Sequence, residues 1–275
     1  MKTAEVERAD QCGNDGRVLN PLRIWDAFRR SAATATEQEP ILEGFLYDAI
    51  LRHPSFTDAL CHNLVSALTG KGMTDAAVYR LVMGVLYGAS ETVAASLWDL
   101  HAIVARDPAA DGYLHPFLYY KGFRALQCWR VAHELWKQGR KGPAYFLQSR
   151  ISEVFSMDIH PAAQIGRGIF MDHGTGIVIG ETSIVEDNVS LLHNVTLGGT
   201  GKDMGDRHPK VRQGVLIGAG AKILGNIEIG MGSKVAAGSV VLCPVPSHCT
   251  VAGVPAKIVG NPRSEAPAFD MAQGF

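Results

Sequence analysis

His173 sits in the run Asp172-His173-Gly174-Thr175-Gly176, flanked by an aspartate and by glycines. An imidazole near carboxylates can take up and return a proton close to neutral pH, which is the work of a general base. Asp158 precedes it by 15 residues, and a second histidine, His193, follows it by 20. Arg207 and His208 fall in a glycine-rich stretch from Gly198 to Lys210. A guanidinium beside an active site can fork onto a carboxylate, whereas an isolated loop pair is more commonly just solvated. From residue types alone, His173 reads equally well as a base or as a satisfied surface histidine.

The elements that would position these groups are set by a period of six. Ile159, Ile165 and Met171 are followed, after a two-residue insertion, by Ile179, Val185, Leu191 and Leu197; a second run holds Val211, Ile217, Ile223, Ile229, Val235 and Val241. Neither a helix nor a simple strand returns one aliphatic residue to the same line every six positions. Three short strands making one triangular coil do, and stacked coils form a parallel β-helix. The slot four residues after each aliphatic position holds small or β-branched residues that suit a tight corner: Ala163, Thr175, Ser183, Val189, Val195, Val215, Ala221, Ser233 and Ser239. The rhythm breaks at Asp172–Gly176 and again at Gly198–Lys210, and irregular loops on a rigid scaffold are where function tends to sit. One coil of 18 residues plus the two inserted ones carries position 173 to 193, so His193 is expected beside His173. Asp158 is expected at the same corner, accepting the ring's second N–H. Asp172 suits that role less well, since neighbours on an extended strand point to opposite faces.

The 275 residues are 47% hydrophobic, enough for a large core and two domains. Residues 1–20 are expected to be a disordered tail. Residues 21–155 carry helical apolar spacing, as at Ile41, Leu42, Phe45, Leu46 and Ala49, with a helix expected over Phe117–Gln138 ending at Gly139. Residues 156–262 are the β-helix, its open end covered by Val251–Lys257, and residues 263–275 are expected to be a flexible tail. With 26 basic and 27 acidic residues the net charge is −1 and no charged block stands out, which argues against nucleic acid or an anionic membrane as partner. No secretory signal is visible, and the five cysteines lack a CxxC spacing, so a reducing cytoplasm is the expected home.

Read in order, the motifs resemble serine acetyltransferase, the hexapeptide-repeat family of cysteine biosynthesis. They are Arg106-Asp107-Pro108-Ala109, Tyr119-Tyr120-Lys121-Gly122-Phe123, Asp158-Ile159-His160-Pro161-Ala162-Ala163, Asp172–Gly176, Val195–Gly201, Gly205-Asp206-Arg207-His208-Pro209-Lys210, Ile217–Asn226 and Ala252-Gly253-Val254-Pro255-Ala256. The resemblance implies an α+β chain, an N-terminal all-α domain followed by a left-handed parallel β-helix. It implies trimers with the active site between neighbours, paired through the helical domains into a hexamer. It implies acetyl transfer from acetyl-CoA to the hydroxyl of L-serine, with no permanent cofactor and no metal. It assigns His173 as catalytic base with Asp158 as its carboxylate, and Asp107, Asp172, Arg207 and His208 as serine-binding residues; Asp107 otherwise reads only as a helix terminator. Acetyl-CoA would contact backbone near Gly199, Thr200, Ala219 and Ala237, with Lys234 near its phosphates. L-cysteine would bind in place of serine as a feedback inhibitor. The family commonly ends in a terminal isoleucine that enters cysteine synthase, and the end Ala272-Gln273-Gly274-Phe275 speaks against that complex here. No cysteine lies in either irregular loop, which favours direct transfer over a covalent intermediate.

Other classes fit less well. Acyltransferases of the same repeat acting on sugars or antibiotics generally lack the long helical domain. A metal-dependent hydratase needs three histidine ligands, often with an HxxxxH spacing that His160, His173, His193 and His208 do not make. An inert scaffold gives no reason for Asp172–Gly176 at the register break.

Overall fold

The computed structural model describes residues 21–70, 72–201 and 204–274; the expected tail over 1–20 lies outside them. The chain forms two compact units that divide between Tyr120 and Lys121, while the change from helices to strands falls between Phe155 and Asp158.

The first unit is helical. It comprises α1 (Pro21–Gln38), a 3-10 turn (Pro40–Leu42), α2 (Glu43–Leu46), a π-helical turn (Tyr47–Leu51), α3 (Phe56–Leu68), α4 (Asp75–Gly88), α5 (Ser90–Arg106) and α6 (Leu114–Tyr119). Side chains fix two helix starts: Ser55 accepts from the Asp58 N–H and Thr74 from the Ala77 N–H. The core is aromatic, with Phe28 edge-on to Phe117 at 5.0 Å and to Phe56 at 6.2 Å between centroids. Over Ile41–Ala49 the helical pattern is carried by three different helical geometries in succession. Leu46 and Ala49 are buried, but Ile41 is 89% exposed. Among the described residues no single helix is long and apolar enough to cross a membrane; α4 and α5 pass such a test only together, across a 92° bend.

The second unit opens with α7 (Lys121–Lys137) and α8 (Lys141–Phe155). The expected continuous helix from Phe117 is interrupted at Tyr120, whose backbone is extended, so Lys121 and Gly122 begin a new helix. α7 fastens to the first coil: Trp129 Nε1 donates to the His160 carbonyl at 3.0 Å, Arg130 to Gly166 at 2.6 Å and His133 Nδ1 to Pro161 at 2.8 Å. These helices therefore close the start of the coil stack, and the natural break precedes them.

The coils run on three faces. Face I holds β1 (Asp158–Ile159), β4 (Val178–Ile179), β7 (Thr196–Gly198), β10 (Lys222–Leu224) and β13 (Val240–Val241). Face II holds β2 (Gln164–Ile165), β5 (Ile184–Val185), β8 (Lys210–Val211) and β11 (Glu228–Ile229). Face III holds β3 (Phe170–Met171), β6 (Ser190–Leu191), β9 (Leu216–Ile217), β12 (Lys234–Val235), β14 (Thr250–Gly253) and β15 (Ala256–Gly260). All pairings are parallel except the closing β14–β15 hairpin. The expected aliphatic residues stack in three columns, for instance Met171, Leu191, Ile217 and Val235. All are buried except Ile165, which lies on the outermost strand of face II and is half-buried. Each buried side chain contributes roughly 1.5–3 kcal/mol, which only stacking makes available. The corner slots behave as expected with one exception. The two-residue insertion pushes Thr175 out to the surface, and Ile177 fills the corner in its place.

Part of the expected flexible tail is helical. α9 (Pro267–Asp270) packs on face III, where Ser190 Oγ donates to the Ala268 carbonyl at 2.9 Å and Ala268 N–H donates to Gly214 at 3.2 Å. The tail thus covers outward positions on face III, including Ser190, Leu216 and Lys234, which would otherwise face water.

Candidate active site

The corner between faces III and I carries His173. After β3 the chain reverses through positive φ angles at His173, Gly174 and Gly176 (56°, 70° and 75°). A non-glycine residue in that region is held by its surroundings. Here the Gly176 N–H donates to Ser156 O at 2.7 Å, Asn194 N–H donates to Thr175 O at 2.7 Å, and the Lys121 ammonium donates to Thr175 Oγ1. Gly122 and Gly174 meet at close quarters. A side chain on Gly122 would run into the Met171 carbonyl, and one on Gly174 would press on Met157 and the Gly122 backbone. Gly122→Ala is accordingly expected to destabilise the protein by about 1–3 kcal/mol and to lower turnover by shifting the His173 turn. Thermal melts and steady-state kinetics read both effects, and an unchanged melt would refute the contact.

The His173 side chain is 73% exposed, with Nε2 3.8 Å from Asp172 Oδ2. Its ring stands edge-to-face with His193 at 5.7 Å, as the coil arithmetic requires. Strand register continues the column from His173 and His193 to Ala219 and Ala237. Two imidazoles are thus followed along one corner by two small residues, and a long, thin acyl carrier could lie against that floor.

Asp158 starts β1 beneath the same turn, its N–H donating to Ile177 O at 2.9 Å while Met157 packs on Gly174. Its Oδ1 accepts from Gln148 Nε2 at 2.7 Å, so in this conformation the carboxylate engages Gln148. Asp172 lies beside the Nε2 edge of the ring, because the backbone at His173 is left-handed rather than extended and strand alternation does not separate the two neighbours.

Arg207 and His208 lie on a different corner, between faces I and II. Thr182 organises them. Its hydroxyl accepts from the Arg207 N–H at 3.0 Å and the His208 N–H at 3.1 Å, and its own N–H donates to His208 Nδ1 at 3.2 Å. Nδ1 is therefore an acceptor, and the His208 proton resides on Nε2. Burial, and then the neighbouring Arg207 charge, pushes the His208 pKa below the usual histidine range. Its ring packs over Gly180, where any side chain would collide with it. Arg207 Nη2 pairs with Glu181 at 2.8 Å and Nη1 donates to Gly205 O at 3.0 Å. Lys210 ties off the loop by donating to Thr182 O, Asp206 and His208 O at 2.6–2.8 Å. Glu181 and Thr182 were missed in the sequence because they occupy an ordinary corner position, with no break in the rhythm to mark them. Gln148, Lys121 and Gly122 left no spacing signal either.

The candidate acetyl-CoA contacts divide in the same way. Gly199 and Thr200 follow β7 on the I–II corner, whereas Ala219 and Ala237 follow face III strands on the III–I corner. Lys234 is only 6% exposed, and in this conformation its ammonium donates to the Gly274 carbonyl under the tail. Burial pulls its pKa below the usual lysine range. In the helical unit, Asp107 caps the end of α5, and its Oδ1 accepts from Ala109 N–H at 2.8 Å. The four described cysteines are free thiols, and burial pushes Cys61 and Cys128 up to about 12, so neither is a ready thiolate.

Comparison with known proteins gives this geometry its setting. Residues 24–128 match the family model described as the N-terminal part of serine acetyltransferase, and residues 208–243 match the six-repeat bacterial transferase hexapeptide model. The chain is 52% identical over 252 residues to serine acetyltransferase of Escherichia coli K12, covering 92% of each. A Brucella abortus serine acetyltransferase structure in complex with coenzyme A is 53% identical, with a TM-score of 0.85 over 86% of this chain and 95% of that one. A serine acetyltransferase structure in complex with cysteine is 48% identical, with a TM-score of 0.91 over 93% of this chain and all of the other. The stacked coils are accordingly a left-handed parallel β-helix behind a helical domain. Half-identity sustained across nine-tenths of both chains, on the same coils and corners, means that this chain belongs to the serine acetyltransferase family.

Proposed function

We propose that His173 is the general base of the family's reaction, with substrate bound between the III–I corner of one subunit and the I–II corner of its neighbour. The reaction transfers the acetyl group of acetyl-CoA to the hydroxyl of L-serine, giving O-acetyl-L-serine and CoA, the first step of cysteine synthesis. The observation that carries the composite site is topological. His173 and Arg207 occupy two different corners of one prism, so a single small amino acid meets both only across two chains. A threefold ring places each III–I corner against the next subunit's I–II corner and closes on itself. Two such trimers joined through their helical units form the proposed hexamer.

In this reading His173 removes the serine hydroxyl proton as the oxygen attacks the thioester carbonyl. The C–O bond forms, and the carbonyl oxygen takes the negative charge. N–H donors of the glycine-rich loop, and the His193 ring beside His173, stabilise that oxyanion. Collapse breaks the C–S bond, and His173 returns its proton to the departing thiolate. Asp158 takes the imidazolium's second N–H, with Gln148 holding one carboxylate oxygen and leaving the other for the ring. Asp107 and Asp172 attract the serine ammonium; Arg207 takes its carboxylate as a forked pair, with His208 Nε2–H alongside. L-cysteine, of the same backbone and nearly the same size, occupies the serine site as an inhibitor. A thiol-release assay with acetyl-CoA and L-serine tests the reading. Release should depend on serine and fall when L-cysteine is added; release indifferent to serine would refute it.

A further inference from the structure

We propose that Glu181 is a positioning residue for serine, acting through Arg207. This inference rests on Arg207 being the carboxylate-binding group. Three observations support it. Glu181 Oε2 sits 2.8 Å from Arg207 Nη2, and the pair is only partly exposed. The Gly205 carbonyl holds Nη1 at 3.0 Å, so the guanidinium is gripped on two of its nitrogens and its remaining N–H groups are aimed by that grip. The very next residue, Thr182, anchors the backbone N–H groups of Arg207 and His208 and the His208 ring. Glu181 and Thr182 together therefore fix the main chain and the side chain of the Arg207–His208 pair from one corner turn.

An arginine on a loop would otherwise sample many rotamers, and ordering it on binding would weaken the substrate complex. Glu181 orders it beforehand. The carboxylate also offsets the Arg207 charge, which suits a zwitterionic ligand whose single carboxylate must align with the fork.

The test is steady-state kinetics on Glu181→Ala, Glu181→Gln, Arg207→Ala and the double variant Glu181→Ala/Arg207→Ala, with melting temperatures measured alongside. Glu181→Ala should raise the serine KM about five-fold, the upper end for a partly exposed pair, while kcat and the acetyl-CoA KM stay within about two-fold. Glu181→Gln should recover most of the loss, because its amide oxygen still accepts from Nη2. The double variant should behave like Arg207→Ala alone, as expected of two residues on one path. An unchanged serine KM in Glu181→Ala beside a selective defect in Arg207→Ala would overturn the role of Glu181 and leave Arg207 standing. Parallel losses in both KM values with a lowered melting temperature and no rescue by glutamine would make Glu181 merely structural. An Arg207→Ala variant with no selective serine defect would remove both assignments.

Discussion

His173→Ala should lower kcat by roughly 10²- to 10⁴-fold, the usual contribution of a positioned general base, while leaving the fold and acetyl-CoA affinity intact. The side chain is largely exposed and takes no part in the buried stack, so its removal leaves no cavity. The turn is held by Ser156, Asn194 and Lys121 through Gly176, Thr175 and the backbone, none of which needs the imidazole. The left-handed φ of 56° persists in any non-glycine replacement, so the turn keeps its backbone strain unchanged. Kinetics together with a thermal melt and an acetyl-CoA binding isotherm separate these effects. A variant that keeps more than about a tenth of wild-type turnover would remove His173 from the base role.

Arg207→Ala should raise the serine KM by roughly 30- to 100-fold, the range for losing a charge-assisted pair in a partly exposed site, and leave the acetyl-CoA KM nearly unchanged. The selectivity follows from chemistry. Serine offers a carboxylate to the fork, whereas the reacting end of acetyl-CoA is a neutral thioester. The loop itself should survive the substitution, because Lys210 and Thr182 tie its far end independently of the guanidinium. Equal effects on both substrates, measured by varying each at saturating levels of the other, would refute the assignment.

The coil architecture was legible because inward stacking tolerates so little: one aliphatic residue every six positions is a geometric demand, and the residues from Ile159 to Val241 meet it column by column. The pairing of His173 with His193 came from the same arithmetic. What failed depended on non-local packing. Thr175 was displaced because the inserted residues fall just before the corner slot. The break at Tyr120 follows from where α7 has to begin to set Gly122 against Met171, a contact between residues far apart in sequence. The packing around Lys234 left no signal in the sequence. Pro267 and Ala268 have no periodic partner in the sequence, yet they cover face III and fold over the lysine. Asp172 comes within reach of the ring because the alternation rule applies to strands, and His173 is in a turn.

The most direct test of a site shared by two subunits is complementation between two chains that each lack one half of the site. His173→Ala and Arg207→Ala subunits are unfolded together, or co-expressed, and reassembled at equal amounts. In a random threefold ring about one interface in four joins an intact His173 corner to an intact Arg207 corner. At serine near the wild-type KM, where Arg207→Ala subunits are almost idle, activity should therefore rise to about a quarter of wild type, well above either variant alone. A mixed population no more active than its parents would contradict the composite site.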